Sequence, residues 1–223
     1  MEPWLQYCRK RRELRGLVQA DSVALDPHKW LYNPLEVGCT LVRDPRHLLE
    51  AFSFRPEYYF FSDEEEEPLN YYECGLQNSR GFRALKVWLG LRQVGRAGYE
   101  RMVRDDGALA QALYRAADAH AELQACSRSL SIATFRFIPE NLSGSEEVVE
   151  SYLDGLNREL LNQLQVRGTA YLSNAVIEER FFLRVCVVNF RTTLDDIEAL
   201  PEIVVGLGRE LDLHMRPRNL KGF

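Results

Sequence analysis

Apolar residues follow three rhythms along this chain, and each rhythm predicts a different kind of element. Near the start they are spaced among charges from Leu5 to Val18, which predicts a short helix. Two compact runs follow. "DSVAL" predicts a buried strand and "GCTLVRD" a second, with glycine and proline punctuating the connection. "PRHLLEAF" predicts a brief helix with Pro45 in its first turn. From Ser53 to Gln77 no period holds: these 25 residues, "SFRPEYYFFSDEEEEPLNYYECGLQ", mix aromatics, two prolines and an acid run. Such a length without periodicity inside a compact domain marks a functional or mobile loop. The run "DEEEE" predicts a solvated tip rather than a metal site, because adjacent carboxylates cannot all converge on one ion.

Helical spacing then takes over. "SRGFRALKVWLGLRQVG" puts Phe82, Leu85, Val87, Trp88, Leu89 and Leu91 on a helical face that ends at Gly95 and Gly98. "YERMVRDDGALAQALYRAADAHAEL" predicts a second long helix, with Gly107 as its weak point. Beyond it, "LSIATFRFIP" predicts a strand and "GSEEVVESYLDGLNRELLNQLQVRG" an N-capped helix. "TAYLSNAVIEERFFLRVCVVNF" predicts a hairpin-like pair, and "TTLDDIEALPEIVVGLGREL" a helix capped by Thr192 or Thr193. Strand, helix, two strands, helix is the order of a small α+β domain. A boundary is expected near residues 95 to 105, giving domains 1–100 and 101–223. Edge strands as apolar as "SVAL" normally have neighbours. The first hundred residues are therefore expected to be the end of a larger sheet.

Composition narrows the class. Hydrophobic residues are 46% and charged residues 27%, ordinary for a soluble globular protein. No apolar run approaches the roughly 18 residues of a transmembrane helix, so no membrane partner is expected. The basic start lacks an apolar core, so no secretory signal is expected from it, and Glu2 and Glu13 argue only weakly against a mitochondrial leader. A net charge of −5 without a basic stripe gives no reason to expect nucleic acid. The five cysteines are widely spaced, with no CxxC and no Cys/His cluster. That suits buried thiols in a reducing compartment, and the cytoplasm is the expected location.

One residue stands out against this background. The chain has 28 Lys plus Arg, of which only four are lysines, and one of the four sits in "DPHKW" between the two apolar runs. A lone lysine after a strand can be a surface cation whose stem lies along apolar surface. His28 would then be a satisfied polar residue and Trp30 an anchor. The other reading is a Schiff-base lysine. In a partly buried site an ε-amine becomes available as a neutral nucleophile, which a guanidinium never does. His28 beside it could donate a hydrogen bond to a phosphate.

At these residues the sequence resembles a known family. "ADSVALDPHKWLYNPLEVGCTLVRD" is similar to the lysine region of the pyridoxal-phosphate-dependent group II amino acid decarboxylases, the aromatic-L-amino-acid decarboxylase type. The resemblance continues through "AFSFRPEYY", "LQNSRGFRALKVWLGLRQVG" and "FFLRVCVVNFRTTLDDIEALPEIV", in the family's order, from about Arg12 onward. It implies an α/β fold: the C-terminal part of an aspartate-aminotransferase-like (fold type I) large domain, then a small α+β domain. It implies pyridoxal 5'-phosphate as cofactor, an amino acid substrate, aromatic by preference, and a homodimer for the complete protein. Lys29 matches the cofactor lysine and His28 the histidine that contacts the cofactor phosphate. Tyr58, in "RPEYY", matches a loop tyrosine that protonates the substrate carbanion. Arg80 and Lys86 fall in a matching helix and are read as structural or loop-anchoring.

The match has a gap. The family's aspartate for the pyridinium nitrogen lies about thirty residues before the lysine, and nothing here corresponds to it. The chain is thus expected to equal the carboxy-terminal half of such an enzyme. Besides decarboxylation, two alternatives stand: a non-catalytic remnant serving as a dimerisation or interaction module, and another pyridoxal-phosphate reaction on the same fold.

Overall fold

A computed structural model describes residues 12–54, 56 and 70–220. The chain divides into two compact units, Met1–Gln93 and Val94–Phe223.

In the first unit a 3-10 helix, Arg12–Val18, leads into β1 (Ser22–Leu25). β1 pairs antiparallel with β2 (Cys39–Val42), in register from Ser22↔Val42 to Leu25↔Cys39. The guanidinium of Arg43 donates to the carbonyls of Val18 and Ala20 at 2.8 and 2.9 Å and ties the entry of β1 to the exit of β2. A short helix α1 (Arg46–Phe52) follows, and a 3-10 helix, Tyr71–Cys74, precedes α2 (Arg83–Ala119). The hydroxyl of Ser53 donates to the buried carboxylate of Glu73 at 2.9 Å. β1 was expected to be buried, and here the structure differs. Its residues alternate between exposed and half-buried, because a two-stranded sheet has no neighbouring element among the described residues to cover it.

α2 breaks at Gly95, whose φ of 67° and ψ of 170° belong to a region that only glycine occupies easily. Of the two predicted stops, Gly95 is therefore the break and Gly98 lies inside helix, as does Gly107, the expected weak point. The helix ends at Ala119, short of the expected Leu123. From Leu123 the chain is a strand, β3 (Leu123–Ser129), which periodicity did not reveal.

The second unit is a four-stranded antiparallel sheet in the order β3-β4-β6-β5, with β4 at Ile132–Phe137, β5 at Ser173–Ile177 and β6 at Arg180–Cys186. Two helices, α3 (Glu146–Val166) and α4 (Leu194–Met215), pack on each other and on the sheet. Leu156, Leu160 and Leu164 recur on one face of α3 and are fully buried against Phe135, Phe137 and Leu183 of the sheet. Asn157 sits among them with its polar atoms matched. Its Oδ1 accepts from the Phe137 amide at 2.8 Å, and its Nδ2 donates to the Phe137 carbonyl at 2.9 Å. Gly208 of α4 permits a close approach, since a Cβ there would meet the Phe137 ring at 2.5 Å. Thr193 caps α4 through a reciprocal capping box with Asp196, one of the two caps the sequence offered.

Candidate active site

The connection from β1 to β2 is a succession of turns that its own hydrogen bonds hold in place. The Lys29 amide donates to the Asp26 carbonyl at 3.0 Å, that of Tyr32 to Lys29 at 2.9 Å, and that of Asn33 to Pro27 at 3.0 Å. The Asn33 side chain, 6% exposed, adds a donor bond to the Leu31 carbonyl at 3.1 Å. Asn33 thus does locally what asparagine does well, replacing a ladder of backbone bonds within a turn. The result brings His28 and Lys29 together on one fixed bend.

His28 has a defined polarity. Its Nδ1 lies 2.7 Å from the Val37 carbonyl, which can only accept, so Nδ1 carries the hydrogen. Nε2 is then the ring atom that can meet a ligand. It accepts when the ring is neutral and donates when the ring is protonated, as a phosphate oxygen requires.

Lys29 is engaged differently from the expectation of a partly buried amine. Its Nζ lies 2.6 Å from Asp26 Oδ2, and the two side chains are 62% and 42% exposed. The hydrogen bond from Lys29 holds the Asp26 carboxyl below the usual carboxylate range, helped by the charges of Lys29 and His28. With most of its side chain exposed, the Lys29 amine is not enclosed by the described residues. Asp26 was not singled out from the sequence; its signal was a carboxylate three positions before the lysine at a turn.

The segment after the bend is fastened to α2. The Lys86 ammonium donates to three successive carbonyls, those of Pro34, Leu35 and Glu36, at 3.3, 3.3 and 3.1 Å. Arg83 pairs with the Glu36 carboxylate and lowers its pKa, chiefly through that hydrogen bond. Lys86 therefore anchors a loop, as its place in the matching helix suggested. Tyr58 lies outside the described residues. A cavity of about 460 Å³ lined by Glu147, Tyr152 and Leu220 holds none of the expected site residues.

An aldehyde-bearing, phosphorylated cofactor fits this bend in part. The chain offers an accessible primary amine at a fixed point, and next to it an imidazole with one nitrogen already committed to backbone. It offers no enclosing wall among the described residues.

Comparison with known proteins places the chain. The family model described as "Pyridoxal-dependent decarboxylase conserved domain" matches residues 6–138. An aromatic-L-amino-acid decarboxylase of Bacillus atrophaeus is 35% identical over 205 residues, covering 90% of this chain and 41% of that protein. Among solved structures, Oryza sativa TDC with PLP and tryptamine is 26% identical with a TM-score of 0.76, over 89% of this chain and 40% of that one. Catharanthus roseus tryptophan decarboxylase in complex with L-tryptophan is 27% identical, with a TM-score of 0.73 over 89% and 40%. The chain spans about 40% of the length of each of these three relatives. It has the fold of the carboxy-terminal part of a fold type I enzyme, as expected. The chain belongs to the pyridoxal-dependent decarboxylase family.

Proposed function

We propose that this chain carries the cofactor lysine of an enzyme that decarboxylates an aromatic L-amino acid to its amine. The observation that carries the reading is the placement of His28 and Lys29 on one hydrogen-bonded bend, within the stretch that the family model matches. When bound, pyridoxal phosphate supplies the electron sink that lets carbon dioxide leave from Cα. The chain's own residues do the rest. Lys29 is the residue that would hold the cofactor, through its Nζ, and that atom must first leave Asp26. His28, with Nδ1–H kept on Val37, would contact the phosphate through Nε2–H of the protonated ring. Tyr58, by the same resemblance, is the residue that would deliver a proton to Cα from its hydroxyl. The domain division at 1–100 and 101–223, the homodimer of the complete protein and the cytoplasmic location belong to the same reading. No helix among the described residues is long and apolar enough to cross a membrane.

The exposure of Lys29 favours a second reading, an interaction module without activity. One experiment separates the two. The protein is incubated with pyridoxal phosphate, reduced with borohydride and mapped by peptide mass spectrometry. A pyridoxyl group on Lys29, absent from Lys29→Met, is the expected outcome. Label spread evenly over Lys29 and Lys86 would instead support the module.

A further inference from the structure

We propose that Lys86 is a positioning residue for His28, acting through the Val37 carbonyl to fix which imidazole nitrogen faces the cofactor phosphate. This rests on the reading of His28 as the phosphate contact. An ammonium has three donors on one compact centre, and three consecutive carbonyls converge on Lys86 Nζ at 3.1 to 3.3 Å. A planar guanidinium spreads its donors and cannot gather three adjacent carbonyls at one nitrogen. The next residue along the chain is Val37, 4% exposed, whose carbonyl is the partner of His28 Nδ1 at 2.7 Å.

The attachment is doubled at its far end, because Arg83, one turn earlier on α2, holds the Glu36 side chain. Backbone at 34–36 is therefore pinned by side chain and main chain immediately before the carbonyl that His28 reads. If that carbonyl moves by an ångström, Nδ1 loses its acceptor and the ring is free to take the opposite tautomer or turn over. The consequence at the ligand is one of orientation: with Nδ1 no longer held on the Val37 carbonyl, the ring can turn and Nε2 is no longer aimed at the phosphate. Two of the chain's scarce lysines thus serve one bend, one as the amine and one as the clamp behind it.

The test reads the histidine first, without cofactor. Long-range ¹H–¹⁵N spectra of the imidazole rings, with His28 assigned by its loss in His28→Gln, should show the Nδ1–H tautomer in the wild-type chain. Lys86→Met should turn this into a mixture with the Nε2–H form, leaving amide shifts of β3 to β6 unchanged. An unchanged His28 pattern in Lys86→Met, or an Nε2–H ring in the wild type, overturns the proposal. If Lys86→Met loses its fold, Glu36→Gln loosens the same segment more gently, and a smaller shift in the same direction is expected; no shift overturns it. The second readout compares pyridoxal phosphate with pyridoxal, followed by absorbance. Lys86→Met should weaken capture of the phosphorylated aldehyde about tenfold, the scale of one charge-assisted hydrogen bond, and that of pyridoxal less than about twofold. Equal losses for both aldehydes would mean a merely structural role. Failure of the wild type to capture either aldehyde would sink the decarboxylase reading alone, since the tautomer measurement does not depend on it.

Discussion

Asp26 and Lys29 illustrate how much a single pair can say about the state of the bend. Both side chains are substantially exposed, so their attraction contributes little to stability and shows up mainly in titration. The sign is fixed: the Asp26 carboxyl is depressed in the folded chain. Its contribution is present above the unfolded value of about 4 and is lost as pH falls through the lower folded value. Carboxyl ¹³C shifts followed from neutral pH into acid should place the Asp26 midpoint below that of a typical exposed aspartate. Lys29→Met should return it towards the ordinary range, and an unmoved midpoint would mean the pair does not form in solution. At this scale the proposed pair, His28 and Lys29, could be picked out in the sequence because the two are adjacent and chemically distinctive. The Val37 carbonyl was not, because a backbone acceptor carries no mark in its side chain. Asp26 was visible as a residue but not as a partner, since the contact depends on how the turn closes.

Among the elements, those whose ends carry chemistry were the readable ones. Thr193 with Asp196 announces the start of α4, and Gly95 marks the break in α2. β3 was hidden for two reasons. It follows an alanine-rich helix whose composition runs on smoothly into "LQACSRS". Its alternation is also interrupted by a register shift between Ala125 and Ser127, so period two never persists long enough to be seen. The β5–β6 hairpin shows a local misfit of the opposite kind. Its two-residue turn, Glu178-Glu179, has φ values of 50° and 65°, and both side chains are exposed. A turn with positive φ at both positions prefers Asn-Gly, and other residues pay about 1 kcal/mol or more for that conformation. Replacing the pair, Glu178→Asn with Glu179→Gly, should stabilise the second unit by about 1–2 kcal/mol. Denaturant unfolding checks this, and a loss of stability would show that the glutamates make compensating contacts.

Across the whole molecule, burial is divided unequally. Every member of the hydrophobic core cluster comes from residue 110 onward, and among the described residues before residue 94 Val37 is the one buried hydrophobic side chain. In the first unit the apolar pattern is present, but Phe54, Leu76, Phe82, Leu85, Trp88 and Leu89 remain exposed. This is why sequence and structure disagree over β1: periodicity records which residues favour burial, and only covering elements decide whether they achieve it. Backbone hydrogen bonds with few buried apolar contacts open locally at low cost, whereas those in a packed sheet open only with global unfolding. Amide hydrogen exchange should therefore be graded along the chain. Amides of β4 and β6, the two central strands, should exchange about a hundredfold or more slower than those of β1 and β2. Urea should leave the slow set cooperative while the fast set is already open. Uniform protection in all four strands would contradict the division. It would mean that the apolar surface of the first unit is covered in solution, and size-exclusion chromatography over a concentration series would then reveal whether a second copy provides the cover.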